Sequence, residues 1–427
     1  MSKINELLKS KIVSHSAIYA VGNFLTAGIA FLLLPVITRY LSTTDYGLLA
    51  MFNIVGMICT TIVQVGTHGC VTTNFHRLEL KEVQQYIGNL LWIIFSSTLI
   101  CLVSCYLTAP YLSSQIQMPI EYFQLAVIFG FSQALVQLVL SLFQISERPL
   151  NFLFLQLLRS VVNIGLSLYL VVSLNQGALG RITAIIVSVV IAAICSIYYL
   201  HKERINLRAN YTYLKDAISF GIPLIPHALA GWLNSSVDRL FISKMIGLSE
   251  VGLYTLGFQV SSVLHLLIKS CLQAWHPWIF KKLSNPSFND KVKIVKLSYV
   301  YWLILLLLAL IFSLIVPIIF KGLVGDEYHS GFQFVLWLSL SFAFTGMYFT
   351  VVTFIFYSKK TTLLFTATFG TSLINIPLNY VLININGAIG AAQATLITHI
   401  ITFLVVWRVS AKCYPMPWLQ VFKTVKN

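Results

Sequence analysis

Long apolar runs follow one another along almost the whole chain, and they decide what it can fold into. A transmembrane helix needs about 20 mostly apolar residues, and twelve runs of about that length are separated by short polar connections. Their approximate bounds are 14–41, 46–72, 87–109, 121–146, 150–173, 180–200, 217–245, 251–277, 297–320, 331–357, 361–383 and 388–410. Only 10% of the residues are charged, which excludes a water-soluble fold. We predict an all-α polytopic membrane protein with about 12 transmembrane helices.

Lysine and arginine are distributed unevenly over the polar connections, and this predicts the orientation. With a cytoplasmic N-terminus, 21 of the 28 Lys and Arg residues fall on the inner side and four on the outer side. The remaining three, Arg159, Arg239 and Lys269, lie within the apolar runs. Positive charge collects on the cytoplasmic side of membrane proteins. The net charge of +15 therefore indicates topology rather than nucleic-acid binding, and both termini are predicted to be cytoplasmic (N-in, C-in).

An internal repeat divides the chain into two halves. The corresponding segments are 42–49 with 247–254, 146–148 with 358–360, Asn163 with Asn375, and 177–180 with 387–390. Parallel repeats of this kind occur in transporters that bind their substrate between the halves. We predict two six-helix repeated lobes around a central cavity, with an N-terminal lobe at 1–205 and a C-terminal lobe at 206–427.

Polar side chains recur at helical spacing within four of the runs. Positions three and four residues apart share one face of a helix. The four stripes are Asn53, Thr60, Gln64 and Thr67; Gln156, Arg159, Asn163 and Ser167; His227, Gly231, Asn234 and Asp238; and Ser262, His265, Lys269, Gln273 and His276. Ser, Thr, Asn and Gln also bond between helices in membranes, so helix packing explains the uncharged members as well as a binding site does.

Charged residues on these stripes are harder to explain by packing. A Lys or Arg at the bilayer centre costs about 2.5–3.5 kcal/mol, and Arg159 lies near the middle of its run. Lys269 is closer to an inner end, so its stem can reach partway to the interface. Asp238 is the only acid well inside a run, which makes it the candidate for proton or sodium coupling. It could instead form a local pair with its neighbour Arg239.

Cysteine and histidine show no pattern that indicates chemistry. The seven cysteines lie mostly inside apolar runs without a CxxC spacing, so we interpret them as small core residues. The histidines show no metal-ligand spacing, and the sequence contains neither a phosphate-binding glycine loop nor a nucleophile elbow. No catalytic residue, metal site or organic cofactor is predicted.

Three short motifs resemble those of a known family. They are Leu-Pro-Val-Ile-Thr-Arg-Tyr-Leu-Ser-Thr-Thr-Asp-Tyr-Gly-Leu at 34–48, the Asp238-Arg239 span that is followed by Val-Gly-Leu-Tyr at 251–254, and the two Gly-Ala-x-Gly turns. Their order, together with the span count and the repeat, resembles the Wzx-type O-antigen flippases over essentially the whole chain. These flippases are polysaccharide-biosynthesis members of the multidrug/oligosaccharidyl-lipid/polysaccharide exporter superfamily. The related lipid II flippases have two further spans, which this sequence does not show.

The resemblance implies a function and a set of site residues. Such a flippase moves undecaprenyl-diphosphate-linked repeat units, the precursors of lipopolysaccharide O-antigen, across the bacterial inner membrane by alternating access. Basic cavity residues would meet the diphosphate, and amide or imidazole groups would face the sugars. The candidates here are Arg39, Arg159, Arg239, Lys269, His265, Gln273, Asn234 and Gln64. Besides membrane lipids, the resemblance implies the polysaccharide polymerase and chain-length machinery as partners.

Two other functions stay open at this point. A cation-coupled multidrug exporter of the same superfamily would favour acids in its cavity, whereas this chain has one intramembrane acid against three bases. A membrane-embedded enzyme of polysaccharide assembly would need a sizeable external loop or a cytoplasmic catalytic segment. The longest polar connections, at 73–86, 201–216 and 278–296, are too short for either.

The charge distribution generates a topology prediction. Reporter fusions after residues 80, 210 and 288 should report the cytoplasm, and fusions after 114, 176 and 326 should report the periplasm. A periplasmic signal at 210 or 288 would contradict the arrangement of two six-span halves with the same orientation.

Overall fold

The computed structural model describes residues 18–19, 21–22, 28, 31, 33–284, 286–418 and 420. Every regular element in this part is a helix. The helices are α1 (Leu34–Tyr40), α2 (Thr43–Gln64), α3 (Thr67–Asn74), α4 (Leu80–Ile116), α5 (Glu121–Ile145), α6 (Pro149–Ser167, continued by a π-helix at Leu168–Ser173), α7 (Gly177–Lys202), α8 (Tyr211–Gly221), α9 (Leu224–Met245), α10 (Leu248–Leu283), α11 (Phe288–Phe320), a 3-10 helix (Asp326–Phe334), α12 (Val335–Tyr357), α13 (Thr361–Asn386) and α14 (Ala388–Cys413).

Nine helical segments among the described residues are long and apolar enough to cross a membrane. They coincide with nine of the twelve predicted spans and confirm the all-α membrane fold. The predicted spans at 217–245 and 361–383 are also helical, within α8, α9 and α13, but fall outside the nine. Nearly half of the predicted span at 14–41 lies outside the described residues. The count of twelve and the N-in, C-in orientation stay predictions.

The described residues form two compact units, the first ending at Trp232 and the second beginning at Leu233. Helix α9 therefore begins in the first unit and ends in the second. The lobe boundary predicted at 205/206 was placed from the sequence repeat, and it stays a prediction.

Helix α5 is the centre of the first unit, where it packs against α2, α3, α4, α6 and α7. Gly130 allows the closest approach, because a Cβ there would lie 2.9 Å from the backbone nitrogen of Thr60 on α2. Small residues at such crossings bring helix backbones together in membranes, where no hydrophobic effect drives helices against one another. The position of α5 thus depends on residue size more than on hydrophobicity.

The second predicted span, at 46–72, is not one continuous helix. It breaks between α2 and α3, where Val65 and Gly66 have φ values of 43° and 65°. A second break, at Ile222 and Pro223, separates α8 from α9. The two breaks touch each other, because a Cβ on Gly221 would lie 1.9 Å from the Val65 carbonyl oxygen. Only glycine fits at this contact, which fixes the start of the broken seventh span against the second.

The internal repeat is visible in the turns of both units. Glu147 and Lys359 occupy corresponding positions, and their φ values are 53° and 56°. Gly177 and Gly387 also correspond, with φ values of 56° and 62°, and each stands at the start of a long helix. Left-handed backbone is uncommon for residues other than glycine, so the agreement at Glu147 and Lys359 reflects a common turn in the two halves.

Helix α12 is the centre of the second unit and packs against α10, α11 and α14. An aromatic cluster joins these helices to the segment after α14. The Trp302 ring lies 5.0 Å from Phe403, 5.1 Å from Trp407 and 5.6 Å from Trp418, between ring centroids. The indole of Trp302 donates to Thr350 Oγ1 at 2.9 Å. Aromatic rings with one polar edge suit a membrane interface.

Three cysteines that the sequence leaves unconnected lie together in the first unit. The Sγ atoms of Cys59 on α2 and of Cys101 and Cys105 on α4 lie within 4.8 Å of one another. Cys101 and Cys105 share a helix face because they are four residues apart. Cys59 joins them only because α2 packs against α4, which no spacing in the sequence encodes.

This packing predicts a cross-link. In a variant that keeps only Cys59 and Cys105, whose Sγ atoms are 3.9 Å apart, copper–phenanthroline oxidation should form a disulfide, because a small rotation closes the gap to about 2 Å. A protease site inserted in the 75–79 connection lets a denaturing gel read the result. The two fragments should stay joined until a thiol reductant is added.

The single-cysteine variants provide the control, since neither can join the fragments. Complete separation of the fragments in the two-cysteine variant after oxidation would contradict the packing of α2 against α4.

Candidate functional site

The predicted ion-coupling residue, Asp238, is buried in the second unit and accepts hydrogen bonds from two donors among the described residues. The hydroxyl of Tyr254 donates to Asp238 Oδ2, and the backbone N–H of Arg239 donates to Oδ1 at 2.8 Å. The Arg239 guanidinium lies 3.8 Å from the same Oδ1. The two charged side chains are 6% and 9% exposed. Of the two arrangements the sequence allowed, the structure has the local pair, with both charges inside the unit.

Arg239 is held by aromatic rings as well as by the carboxylate. Its guanidinium carbon lies 4.4 Å from the ring centroid of Phe258 and 5.6 Å from that of Tyr254. Its Nε donates to Thr255 Oγ1 at 3.3 Å. A desolvated cation–π contact contributes about 2 kcal/mol, close to the cost of about 2.5–3.5 kcal/mol for a cation at mid-bilayer. The rings and the carboxylate together are enough to stabilise Arg239 without any ligand.

The turn between α9 and α10 brings these residues together. Gly247 has a φ of 141°, which favours glycine, and the chain reverses there so that Tyr254 of α10 reaches Asp238 of α9. Tyr254 and Phe258 are four residues apart and share the face of α10 that meets Asp238 and Arg239. Tyr254 was not among the predicted site residues, although it ends the Val-Gly-Leu-Tyr motif at 251–254.

His265 and Lys269 continue along α10 from Phe258. The His265 ring lies 5.2 Å from the ring of Phe342, and its Nδ1 is buried without a hydrogen-bond partner among the described residues. Lys269 is exposed, and both it and His399 of α14 are close enough to act electrostatically on His265. His399 was also missed; its Nδ1 shares a hydrogen bond with Ser341 on α12.

In the first unit, Arg159 lies on α6 with no hydrogen bond or ion pair to it among the residues that the structure describes. It is half-buried, and Asn163 and Ser167 follow it on the same helix face. Arg181, which was not among the predicted site residues, donates from α7 to Asn163 Oδ1 and to Ser167 Oγ. Both acceptors are neutral. Two arginines therefore flank one polar stripe, and no ion pair with a carboxylate joins either of them in the described part of the unit.

Gln64 lies at the break between α2 and α3. Its Nε2 is buried and has no hydrogen-bond partner among the described residues, and the same holds for Thr67 Oγ1 just beyond the break. Buried polar groups are normally paired, and an isolated one costs about 1–3 kcal/mol. The polar stripe predicted on this span therefore ends in two groups that can still bind water or a ligand.

The remaining candidates are Arg39, Asn234 and Gln273. Arg39 is exposed in the last turn of α1. The side chains of Asn234 and Gln273 lie outside the described part of the chain, although their backbones belong to α9 and α10. Gln64, Arg39 and Arg159 belong to the first unit, and Asp238, Arg239, His265 and Lys269 belong to the second. The grouping of all these residues around one cavity stays a prediction.

The three grouped thiols are the arrangement, within the described ranges, that could hold a metal ion. Thiolates select soft ions such as Cu(I) or Zn²⁺. Cys59 and Cys101 are buried among apolar residues, which suits a small core residue equally well.

The Asp238–Arg239 pair predicts a stability effect. Removing one partner of a buried ion pair costs about 3–5 kcal/mol, because Arg239 would stay buried without its carboxylate. We expect Asp238→Asn to lower the melting temperature of the purified protein in detergent. Asp238→Asn/Arg239→Gln should recover part of that loss. Size-exclusion chromatography after graded heating measures the melting temperature.

Lys244→Gln is the matched control, since Lys244 is an exposed cation on the same helix. Its melting temperature should equal that of the wild type. An unchanged melting temperature for Asp238→Asn would show that the carboxylate is not needed for packing and would favour the ion-coupling role.

Comparisons with known proteins agree with this fold. Residues 12–282 match the family model described as polysaccharide biosynthesis protein. An uncharacterized membrane protein of Haemophilus influenzae is 26% identical over 368 residues, which cover 82% of this chain and 85% of that protein.

Two solved structures share the fold at low sequence identity. One is an inward-facing multidrug resistance MATE family transporter of the MOP superfamily, with a TM-score of 0.70, 13% identity, and coverage of 96% of this chain and 99% of that one. The other is the lipid II flippase MurJ in an inward closed conformation, with a TM-score of 0.62, 15% identity, and coverage of 93% and 87%. The match to the family model extends over more than half of the sequence, so this chain belongs to the polysaccharide biosynthesis protein family and is a multi-pass membrane protein with the fold of these transporters.

Proposed function

We propose that this protein is a flippase for lipid-linked oligosaccharides. It would move undecaprenyl-diphosphate-linked repeat units of O-antigen or a related polysaccharide from the cytoplasmic to the periplasmic leaflet of the bacterial inner membrane. The family supplies the link to polysaccharide biosynthesis. The fold supplies the likeness to transporters.

Arg159 is the observation that carries the proposal. A cation in an apolar span costs about 2.5–3.5 kcal/mol unless an anion or water compensates it. Arg239 has a carboxylate and two rings, whereas Arg159 has no partner among the described residues. An anionic group that passes through the protein is a partner of the required charge. The diphosphate of the lipid-linked substrate carries that charge on oxygens that guanidinium groups bind well.

Lys269 is a second cation without an ion-pair partner among the described residues, and it belongs to the second unit. It is exposed on α10, and no ion pair to it is found in the described part of the chain. Lysine binds phosphate as a point charge, without the paired geometry of arginine. His265, one turn away, and Gln64 in the first unit add polar groups without hydrogen-bond partners in the described residues, and such groups suit sugar hydroxyls.

The distribution of acids argues against cation-coupled drug export. An exporter of cationic compounds needs a carboxylate that the cation can reach. Asp238 instead accepts hydrogen bonds from Tyr254 and from the backbone of Arg239, and it lies beside the Arg239 guanidinium. A compound that used Asp238 would have to displace all three. Transport of an anionic lipid-linked sugar fits the charges of both units better.

Charge rather than shape should matter at Arg159 and Lys269 if they bind the diphosphate. A hydrogen bond to a charged group contributes about 1.5–3 kcal/mol, which corresponds to roughly 10- to 100-fold in affinity. Arg159→Ala and Lys269→Ala should therefore lose most transport, Arg159→Lys and Lys269→Arg should keep part of it, and the Gln variants should resemble Ala. Surface polysaccharide in a flippase-deleted strain measures transport, with membrane abundance checked for every variant.

Lys321→Ala removes an exposed cation outside the candidate site and should leave surface polysaccharide unchanged. Normal polysaccharide from both Ala variants at Arg159 and Lys269 would overturn the diphosphate role. Drug resistance conferred by the wild-type chain, without restored polysaccharide, would instead support the exporter.

A further inference from the structure

The connection between α7 and α8 forms one wall of a groove that lies apart from the candidate site. The groove has a volume of about 730 Å³, and helices α4 and α7 supply its other walls. Its apolar lining includes Leu91 on α4, Ile197 on α7 and Leu207 in the connection. Its basic lining is His201, Lys202 and Arg204. We propose that this groove binds an anionic phospholipid of the cytoplasmic leaflet.

Side chains of α4 hold the connection in place, so the groove is formed before any ligand arrives. Trp92 donates from its indole to the Leu207 carbonyl at 2.8 Å, and Gln84 donates to the Glu203 carbonyl at 2.9 Å. Asn89 accepts the backbone N–H of Asn210 at 2.8 Å. A Cβ on Gly88 would lie 1.9 Å from the Asn206 carbonyl oxygen, so the connection lies directly on the α4 backbone. A binding site that is already formed loses little conformational entropy when its ligand binds.

The positive charge of the groove is not cancelled by the acid inside the same segment. Glu203 stands between Lys202 and Arg204 in the sequence, but its carboxylate faces Arg148, with Oε1 2.6 Å from the guanidinium. Partial burial raises the pKa of Glu203, but the hydrogen bonds from Arg148 and Tyr199, followed by the charges of Arg148 and Lys202, outweigh this and hold the pKa below its usual value. Neither Lys202 nor Arg204 has an ion pair among the residues that the structure describes.

The two exposed cations, at a helix end predicted to face the cytoplasm, favour a lipid phosphate over other occupants. Lys202 and Arg204 can both reach an anion at the mouth of the groove, and His201 and Lys202 offset the partial negative charge at the C-terminus of α7. Basic pockets between transmembrane helices on the cytoplasmic side bind anionic headgroups. This end of α7 is the one predicted to face the cytoplasm.

The apolar faces that lead away from the groove suit acyl chains. Phe95 and Leu99 follow Leu91 at four-residue intervals on α4 and are 52% and 50% exposed. Ile194 precedes Ile197 by one turn on α7 and is 60% exposed. Both helices pack on α5, which leaves these outer faces to the membrane. A phospholipid whose phosphate binds Lys202 and Arg204 therefore places its acyl chains along surfaces that are already apolar.

Native mass spectrometry of the full-length protein in detergent tests the proposal. Phosphatidylglycerol and phosphatidylcholine with identical acyl chains are the probes, and inorganic phosphate at millimolar concentration is a competitor. We expect phosphatidylglycerol to be retained over phosphatidylcholine, and phosphate not to displace it. Each cation near a membrane surface contributes about fivefold, so Lys202→Gln/Arg204→Gln should weaken retention roughly 30-fold. Lys202→Arg/Arg204→Lys should retain the lipid like the wild type.

Lys359→Gln/Lys360→Gln is the matched control, because it removes two exposed cations from a turn on the same predicted side. It should not change retention. Equal retention of the two lipids by the wild type, or full retention of phosphatidylglycerol by Lys202→Gln/Arg204→Gln, would overturn the proposal. Displacement of the lipid by phosphate would also overturn it and would identify a site for free anions. The melting temperature of each variant shows whether it is folded, and none of these results depends on the proposed transport activity.

Discussion

Hydrocarbon does not hydrogen-bond, and this constraint governs every polar group within the spans of this protein. An isolated cation costs several kcal/mol there, and an unpaired backbone group costs a comparable amount. The fold meets this constraint in different ways at different places. Arg239 lies beside a carboxylate and two rings, whereas Arg181 donates from one nitrogen to two neutral acceptors and keeps a buried Nε without a partner among the described residues. Gln64 and Thr67 keep polar atoms without partners in the described structure, beside a helix break. Buried polar atoms without a partner, such as these two, need a ligand or water to bond with.

The contact between the two helix breaks shows how the same constraint shapes the backbone. Val65 is β-branched and adopts a left-handed φ of 43°, a conformation that costs about 1–3 kcal/mol and persists only where the surroundings enforce it. Gly221 packs directly against the Val65 carbonyl, where no larger residue fits, and this contact helps to hold the Val65 backbone in place. Irregular backbone at membrane depth is tolerated only inside protein or beside a cavity. Each break packs against the other and shields its irregular backbone from lipid. The buried Gln64 amide lies next to this contact.

Much of the fold could be predicted from the sequence, because the length of an apolar run is set by the bilayer rather than by tertiary contacts. The runs at 121–146 and 388–410, for example, correspond closely to α5 and α14. The break at Val65 was missed, because valine gives no local signal for left-handed backbone. Partners were missed for a similar reason. The spacing that marked Asn163 and Ser167 on α6 contains no information about Arg181, which arrives from another helix. Tyr254 lies sixteen residues after Asp238 and reaches it only because the chain reverses at Gly247.

The contrast between Arg239 and Arg159 shows why partners matter more than residue type when a membrane site is interpreted. Arg159 lies on a polar stripe and Arg239 directly follows the last residue of another, and the sequence places both cations within apolar spans. In the structure, the environment of Arg239 is complete, so its charge can be explained by packing alone. The environment of Arg159 lacks an anion within the described residues, and its helix neighbours offer only amide and hydroxyl groups. A protein that handles an anionic substrate needs cations of the second kind, because a cation already neutralised by its own chain has little left to offer a diphosphate.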